Sequence, residues 1–231
     1  MRICIISDLH ANIEALSALP IDYDELWVLG DLVNYGPDPA ATIEFVRSRA
    51  AIVIRGNHDN AIGLRVDYGC SPRFRAMADA VGQYTSSVLS HKDKEFLRHL
   101  PSCACRQADG RVFFLCHATP SDLLYEYRTP ESPLWAREEE SSAGADVVLA
   151  GHTHLPFVRA FGSRIVANPG SLGQSKAGDA RARYAIWHNG HLELKAYEYP
   201  VETTVEKILV LPLAGEIKRD LVDVLRSGTV R

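Results

Sequence analysis

Short apolar runs punctuate this chain, and each is closed by polar residues of the same few types. Ile3-Cys4-Ile5-Ile6 ends at Ser7-Asp8-Leu9-His10, Leu26-Trp27-Val28-Leu29 at Gly30-Asp31, and Ala51-Ile52-Val53-Ile54, past Arg55, at Gly56-Asn57-His58-Asp59. Val112-Phe113-Phe114-Leu115-Cys116 ends at His117, and Val147-Val148-Leu149-Ala150 at Gly151-His152-Thr153-His154. Continuous apolar runs of this length read as strands buried on both faces, the habit of parallel sheets. Helical spacing lies between the first three. Ala11 to Leu19 places Ile13, Leu16 and Leu19 on one face before Pro20, and Ala40 to Arg49 turns Ile43, Val46 and Ala50 inward with Pro39 in the first turn. The order strand 2–7, helix, strand 25–29, helix, strand 51–54 is βαβαβ, which implies right-handed crossovers and a mostly parallel sheet.

The pattern then changes twice. Residues 61–100 carry no clear strand. One helix is expected from about Phe74 to Leu89, and another opens at Ser90 or His91 and buries Phe96, Leu97 and Leu100 before Pro101. This is a helical insertion led by a loop from Leu64 to Arg75, a place where substrate selectivity often resides. Strands return as hairpins. Cys103–Gln107 and Arg111–Cys116 flank Ala108-Asp109-Gly110, Phe157–Phe161 and Arg164–Ala167 flank Gly162-Ser163, and Arg183–Trp187 and His191–Glu198 flank Asn189-Gly190. A helix is expected over Pro133 to Ser142, a strand over Asp146–Ala150, and one or two helices over Val201 to Leu225, broken near Pro212. The sum is an α/β chain of two packed sheets with helices outside.

Composition narrows the class. With 231 residues, 46% of them hydrophobic, the chain can bury one large core, and no linker divides it. We therefore expect a single domain over residues 1–231. A net charge of -4 does not indicate a nucleic-acid binder. Met1-Arg2-Ile3-Cys4 runs straight into a strand, so no signal peptide is expected, and no apolar run reaches a membrane span. Five cysteines without ribbon spacing fit reduced thiols in a cytoplasmic protein.

The chemistry lies in what closes the strands. Ligands of open α/β sheets sit beyond the carboxyl ends of the strands. Asp8 and His10 are two apart, as are His152 and His154, so each pair leans to one side of an extended chain; Asp31, Asn57 and His117 come singly. One Asp-x-His is more often a turn than a site. Five such endings in order are not readily accidental. Seven oxygen or nitrogen ligands exceed one tetrahedral zinc and suit two ions sharing a carboxylate, for which Asp31, after a glycine, is the natural bridge. Without thiolate, the set favours manganese, iron, zinc, nickel or cobalt over calcium. Two ions about 3.5–4 Å apart clamp an in-line phosphoryl displacement and lower the pKa of a water between them. His58, adjacent to a ligand but not needed as one, is left to protonate the leaving group. Asp59 either supports His58 or closes the turn. Asn12 either touches phosphate or caps a helix, and Arg55 is either a phosphate contact or a solvated strand-end residue.

Together these residues resemble the calcineurin-like metallophosphoesterase family, whose pattern is D-x-H, G-D, G-N-H-D/E, H and G-H-x-H. The likeness spans roughly residues 3–172. It implies a four-layer α-β-β-α sandwich of two mixed sheets and a dinuclear centre. In it Asp8, His10 and His154 hold one ion, Asn57, His117 and His152 the other, with Asp31 bridging and His58 protonating the leaving group. Asn168-Pro169-Gly170-Ser171, Gly36-Pro37-Asp38-Pro39 and the helical insertion look like the small bacterial and archaeal phosphodiesterase branch often labelled diadenosine-tetraphosphatase-like. Protein serine/threonine phosphatases carry G-D-x-V-D-R-G, where this chain has Asn34 for the histidine-orienting carboxylate and Tyr35 for the phosphate-binding arginine. The resemblance therefore implies a phosphodiesterase or nucleotide hydrolase. A phosphomonoesterase or protein phosphatase is the alternative, and a non-catalytic metal-binding scaffold stands behind both. The partner expected is a small phosphorylated molecule, a nucleotide among the candidates; no membrane contact is expected, and an oligomer is left open. Arg55, Arg73 and Arg75 are the cations that would compensate for Tyr35.

Overall fold

The computed structural model describes residues 1–20, 22–70 and 72–229, with the side chains of 72 and 73 excluded. The elements run β1 (Arg2–Ile6), α1 (Ile13–Ser17), β2 (Glu25–Val28), α2 (Pro39–Arg49), β3 (Ile52–Val53), α3 (Asn57–Leu64), α4 (Pro72–Val88) and α5 (His91–His99). Then come β4 (Cys103–Ala108), β5 (Arg111–Cys116), β6 (Val147–Leu149), β7 (Phe157–Phe161), β8 (Arg164–Asn168), β9 (Ala182–His188), β10 (His191–Tyr197), α6 (Val201–Val210) and α7 (Gly215–Ser227). Two mixed five-stranded sheets result, ordered β10-β9-β1-β2-β3 and β4-β5-β6-β8-β7.

Strand alternation explains why the apolar runs are continuous. Ile3 and Ile5 of β1, with Trp27 and Leu29, meet Phe113, Leu115, Val147 and Leu149 between the sheets. The intervening Cys4, Ile6, Leu26 and Val28 face the layer holding Leu16, Ile43, Val46 and Leu97. On the second sheet, Phe114, Cys116, Val148 and Val166 face outward onto Trp135. Nearly every residue of these runs therefore packs in or against a core, on one face or the other; Ala51, at the start of the third, is exposed. Trp135 belongs to a short 3-10 turn, Pro133–Arg137, so the helix expected to reach Ser142 is cut short.

Two expectations need correction. The stretch Gly56-Asn57-His58-Asp59 opens a helix the apolar spacing did not predict, α3, with Gly56 as N-cap and the Asp59 carboxylate accepting from the Gly56 amide. Helix α1 is shorter than the apolar spacing suggests. Ala11 sits in the left-handed region, and Asn12 caps the helix by accepting from the Ala15 amide.

The packing brings the strand ends together. β1 and β2 run parallel, as do β5 and β6, so four signatures finish at one edge of the sandwich. The turns there are bent sharply. Asp8, His10, Asp31, His152 and His154 all have positive φ, between 44° and 66°. Such conformations are costly for residues with a Cβ and cluster at functional sites. Gly30 allows the closest approach: at φ +92°, a Cβ on it would collide with the backbone of Gly56.

Candidate metal centre

Two groups of side chains converge at this edge, Asp8 with His10 and His154, and Asp31 with His117 and His152. All six are buried. The hydrogen-bond network fixes which atom of each ring faces inward. Nδ1 of His10 lies 3.3 Å from the Val33 carbonyl and Nδ1 of His154 lies 2.6 Å from that of Gln174. Each Nδ1 therefore carries the hydrogen, and the two Nε2 lone pairs face each other at 3.0 Å with no hydrogen between them. Asn57 donates from Nδ2 to the Tyr68 carbonyl at 2.7 Å, which turns its Oδ1 inward. That oxygen lies 3.0 Å from His117 Nε2 and 3.1 Å from His152 Nδ1. His152 is held the opposite way round, with Nε2 3.3 Å from the Tyr125 carbonyl. Acceptors crowded in this way repel one another unless a cation or proton lies between them, so the donor set fits two metal ions.

Asp31 joins the groups. Its Oδ1 accepts from the His58 amide at 2.9 Å, in the first turn of α3. Its Oδ2 lies 3.3 Å from His117 Nε2 and 3.8 Å from His10 Nε2. Asp8 accepts from the His152 amide at 3.1 Å and faces His154 Nε2 at 3.5 Å.

The electrostatics divide the candidate ligands. Burial, opposed by Asp31, lowers His10 to about 3. Burial also holds His152 and His154 well below the usual histidine range. These rings are neutral and ready to ligate. Burial raises Asp8 to about 7. His117 differs: burial works against its charge, but Asp31 beside it prevails and raises it to about 9. Burial likewise opposes charge on Asp31, yet His117, His58 and His10 hold its carboxyl well below the usual range. In the metal-free chain, a proton on His117 Nε2 thus takes the place of a cation.

A consequence is measurable. Cations lower the pKa of the groups they bind, so loading at neutral pH should expel the His117 proton and the fraction remaining on Asp8. We expect about 1–2 protons released per chain on full loading, with affinity rising as pH increases through about 7 to about 9. Calorimetry in buffers of different ionisation heat counts them; zero release would remove His117 and Asp8 from the ligand set.

His58 stands beside the candidate ligands without joining either group. Asn34 accepts the Tyr35 amide at Oδ1, so its Nδ2 faces His58 Nδ1 at 2.9 Å. The ring hydrogen is thereby placed on Nε2, which lies 3.8 Å from Cys70 Sγ. Tyr35 and Tyr68 flank the ring, with centroids at 4.7 and 5.3 Å. Burial, opposed by Asp31, lowers His58 to about 4.

The remaining expected residues are placed elsewhere. Asp59 spends both oxygens on backbone amides, Leu32 at 2.9 Å and Gly56 at 3.0 Å, which closes the turn rather than supporting His58. Asn12 is saturated: it accepts from Ala15 and Thr204 and donates to the Gly173 carbonyl and the Tyr199 hydroxyl. Arg55 donates to the Arg98 carbonyl and the Ser102 hydroxyl, which ties it to the end of α5 and not to the site. Arg75 pairs with Asp67, both exposed, and the Arg73 side chain lies outside the described residues. Sequence reasoning noted Asn34 only as a replaced carboxylate and missed Lys176 altogether. Lys176 has no motif around it, although its charge acts on Asp8 and Asp31 alike as their charges act on it. The Asn168-Pro169-Gly170-Ser171 turn proves to be scaffolding. Asn168 donates to the Gly151 carbonyl at 2.6 Å, and Ser171 to the Asp8 carbonyl at 2.7 Å.

Comparison with known proteins agrees with this geometry. A profile of the calcineurin-like phosphoesterase superfamily domain matches residues 1–190. An uncharacterised protein of Methanocaldococcus jannaschii is 27% identical over 230 residues, covering 90% of this chain and 91% of that protein. The symmetrical bis(5'-nucleosyl)-tetraphosphatase of Coxiella burnetii is 32% identical over 167 residues, covering 70% of this chain and 50% of the enzyme. The chain thus spans about half the length of that tetraphosphatase. The crystal structure of a metallophosphoesterase from Sphaerobacter thermophilus superposes with a TM-score of 0.81 at 28% identity, covering 99% of this chain and 100% of that one.

Proposed function

This chain belongs to the calcineurin-like phosphoesterase superfamily, and from that premise we propose that it hydrolyses phosphodiesters and nucleotide phosphoanhydrides with two divalent transition-metal ions. The observation that carries the reading is the Asp31 carboxylate lying between two clusters of convergent buried side chains, 3.3 Å from His117 Nε2 in one and 3.8 Å from His10 Nε2 in the other. Asp8, His10 and His154 would hold one ion and Asn57, His117 and His152 the other, with Asp31 serving both. Bound there, the ions supply Lewis-acid polarisation of phosphoryl oxygens and activation of the attacking water.

The chain's own residues do the rest. Asn34 holds the His58 ring with Nε2 turned away from it; the acid is the imidazolium formed when a second proton adds at Nδ1, which gives its Nε2 hydrogen to the leaving oxygen and returns to the neutral ring. A phosphoryl anion beside the ring favours its protonated form and so raises a pKa that burial has lowered. An amide supports an imidazolium less than a carboxylate does. His58 therefore suits leaving groups that need little protonation, such as aryl oxides and the phosphate of an anhydride. Tyr35 leaves no guanidinium at the place where protein phosphatases carry one, and its buried ring packs against His10 and His58. Without that bidentate partner a dianionic monoester gains little over a monoanionic diester. Symmetrical bis(5'-nucleosyl)-tetraphosphatases among its relatives support a nucleotide as the physiological class. Among the described residues no helix is long and apolar enough to cross a membrane.

The test is a panel after chelation and reloading with manganese, nickel or cobalt. Bis-aryl and mono-aryl phosphates sharing one leaving group are compared by kcat/KM, with a dinucleoside polyphosphate alongside. We expect hydrolysis only in reloaded protein, with the diester or anhydride cleaved at least as efficiently as the monoester. Full activity in rigorously metal-free protein would sink the dinuclear reading. A strong monoester preference with phosphate release from phosphoserine peptides would replace it with a phosphatase.

A further inference from the structure

Beside the metal centre lies a cleft of about 500 Å³, lined by Phe74, Tyr127, Thr153, Leu155 and Lys176 among others. Thr153 stands between the ligands His152 and His154, so the cleft borders the reacting centre. Tyr127 packs its ring on His152 with centroids 4.0 Å apart and is 52% exposed. Phe74 comes from the first turn of α4, in the helical insertion. The apolar part of the wall is two aromatic rings and a leucine, set among three threonines and two cations.

One cation faces this apolar lining. Lys176 Nζ lies 5.5 Å from the Phe74 ring centroid, and among the described residues it forms no ion pair. Its charge is nonetheless felt by Asp8, His10, His58, His152 and His154, which places it within electrostatic range of both ligand groups. The other cation of the cleft, Arg128, is spent. It pairs with Glu126 and Glu138 and stacks on Trp135. An ammonium beside the Phe74 ring, in a cleft that Tyr127 also lines and next to the candidate phosphoryl-transfer centre, matches a ligand that is anionic at one end and flat and apolar at the other.

We propose that this cleft is a nucleoside-polyphosphate subsite, in which Lys176 holds a phosphate next to the one cleaved and Phe74 and Tyr127 provide the walls for the base. The assignment rests on the phosphohydrolase reading above and narrows it to substrates with at least two linked phosphates and a base. Lys176 also supplies, from a different loop, positive charge that Tyr35 does not. It does so as a point charge, without the bidentate geometry that favours a monoester dianion.

The experiment measures binding by calorimetry to manganese-loaded protein, using adenosine diphosphate and inorganic tripolyphosphate as probes. Lys176→Gln should weaken both by about 10–100-fold, the size of a lost charge-assisted hydrogen bond, and Lys176→Arg should restore most of that. Phe74→Ala should weaken adenosine diphosphate by about 10-fold or more through lost stacking while tripolyphosphate stays within about threefold of wild type. Metal content and circular dichroism confirm that each variant is loaded and folded. The subsite is overturned if the wild-type protein does not bind adenosine diphosphate, or if Lys176→Gln leaves both probes within about threefold of wild type. It is also overturned if Phe74→Ala weakens both probes equally. These failures differ from failure of the parent reading, in which the wild-type protein, fully loaded, hydrolyses no phosphoester of the panel.

Discussion

Replacing His58 by Ala should leave two metal ions bound and slow turnover by about 10²–10⁴-fold, the usual contribution of a positioned general acid. The expectation follows from where the ring stands. Its Nδ1 is occupied by Asn34, its Nε2 is outside both ligand groups, and only its backbone amide touches a ligand, donating to Asp31 at 2.9 Å. Alanine keeps that amide and the start of α3. The loss should depend on the leaving group. It should be largest for alkyl phosphodiesters, whose departing alkoxide needs a proton, and should shrink towards the lower bound for nitrophenyl esters. A Brønsted plot of log kcat against leaving-group pKa should therefore steepen in the variant. Equal loss across the series, or a metal content below wild type, would make His58 a structural residue or a ligand rather than a proton donor.

Much of this site was legible because its signals are local. A strand ending in Asp8 and His10, or in His152 and His154, needs only the polarity switch after an apolar run, and the sheets bring those ends together through parallel pairings of β1 with β2 and β5 with β6. What was not legible depends on tertiary contact. Asp59 could read as a partner for His58 until the Leu32 and Gly56 amides were seen to consume its oxygens. Arg55 follows β3 and looks as though it faces phosphate, yet the C-terminal end of α5 takes its guanidinium. Helix α3 was hidden because Gly-Asn-His-Asp has the composition of a turn. Its capping depends on Asp59, and its side, on Arg98, which donates to the Gly63 carbonyl at 3.1 Å. Lys176 carried no signal at all: a lone lysine in a polar loop is usually solvated, and only the placement of Phe74 and Asp8 gives it a setting.

The neighbours of His58 also bear on which reaction is chosen. A carboxylate at position 34 would accept from Nδ1 and favour the imidazolium; the amide present donates to that atom instead. A centre of the kind proposed would be weak at protonating poor leaving groups and, with two ions bound beside Lys176, rich in positive charge for phosphate. That combination would favour anhydrides over alkyl esters, because a departing phosphate leaves as a stabilised anion.

Asp31→Asn tests the other half of the mechanism and should give the opposite signature: metal lost first, turnover lost with it. The substitution is nearly isosteric. Oδ1 can still accept the His58 amide, so α3 and the fold should persist by circular dichroism. The second position changes in kind. An NH₂ group replaces the Oδ2 that sits 3.3 Å from His117 Nε2 and 3.8 Å from His10 Nε2, removing the shared negative charge and pointing donors at atoms that must ligate. His117 also loses the carboxylate that raised its pKa to about 9, so the proton released on loading should largely disappear. We expect occupancy to fall below two ions per chain at metal concentrations that saturate the wild type, and activity to fall by at least about 10²-fold. Excess metal should recover only part of the activity, because repulsion between two cations is no longer offset by a bridging carboxylate. Mass spectrometry of the metal content beside the kinetics separates this outcome from that of His58→Ala. An Asp31→Asn protein with two tightly held ions and wild-type turnover would show that the shared carboxylate is not what holds the pair, and would remove Asp31 as the bridge.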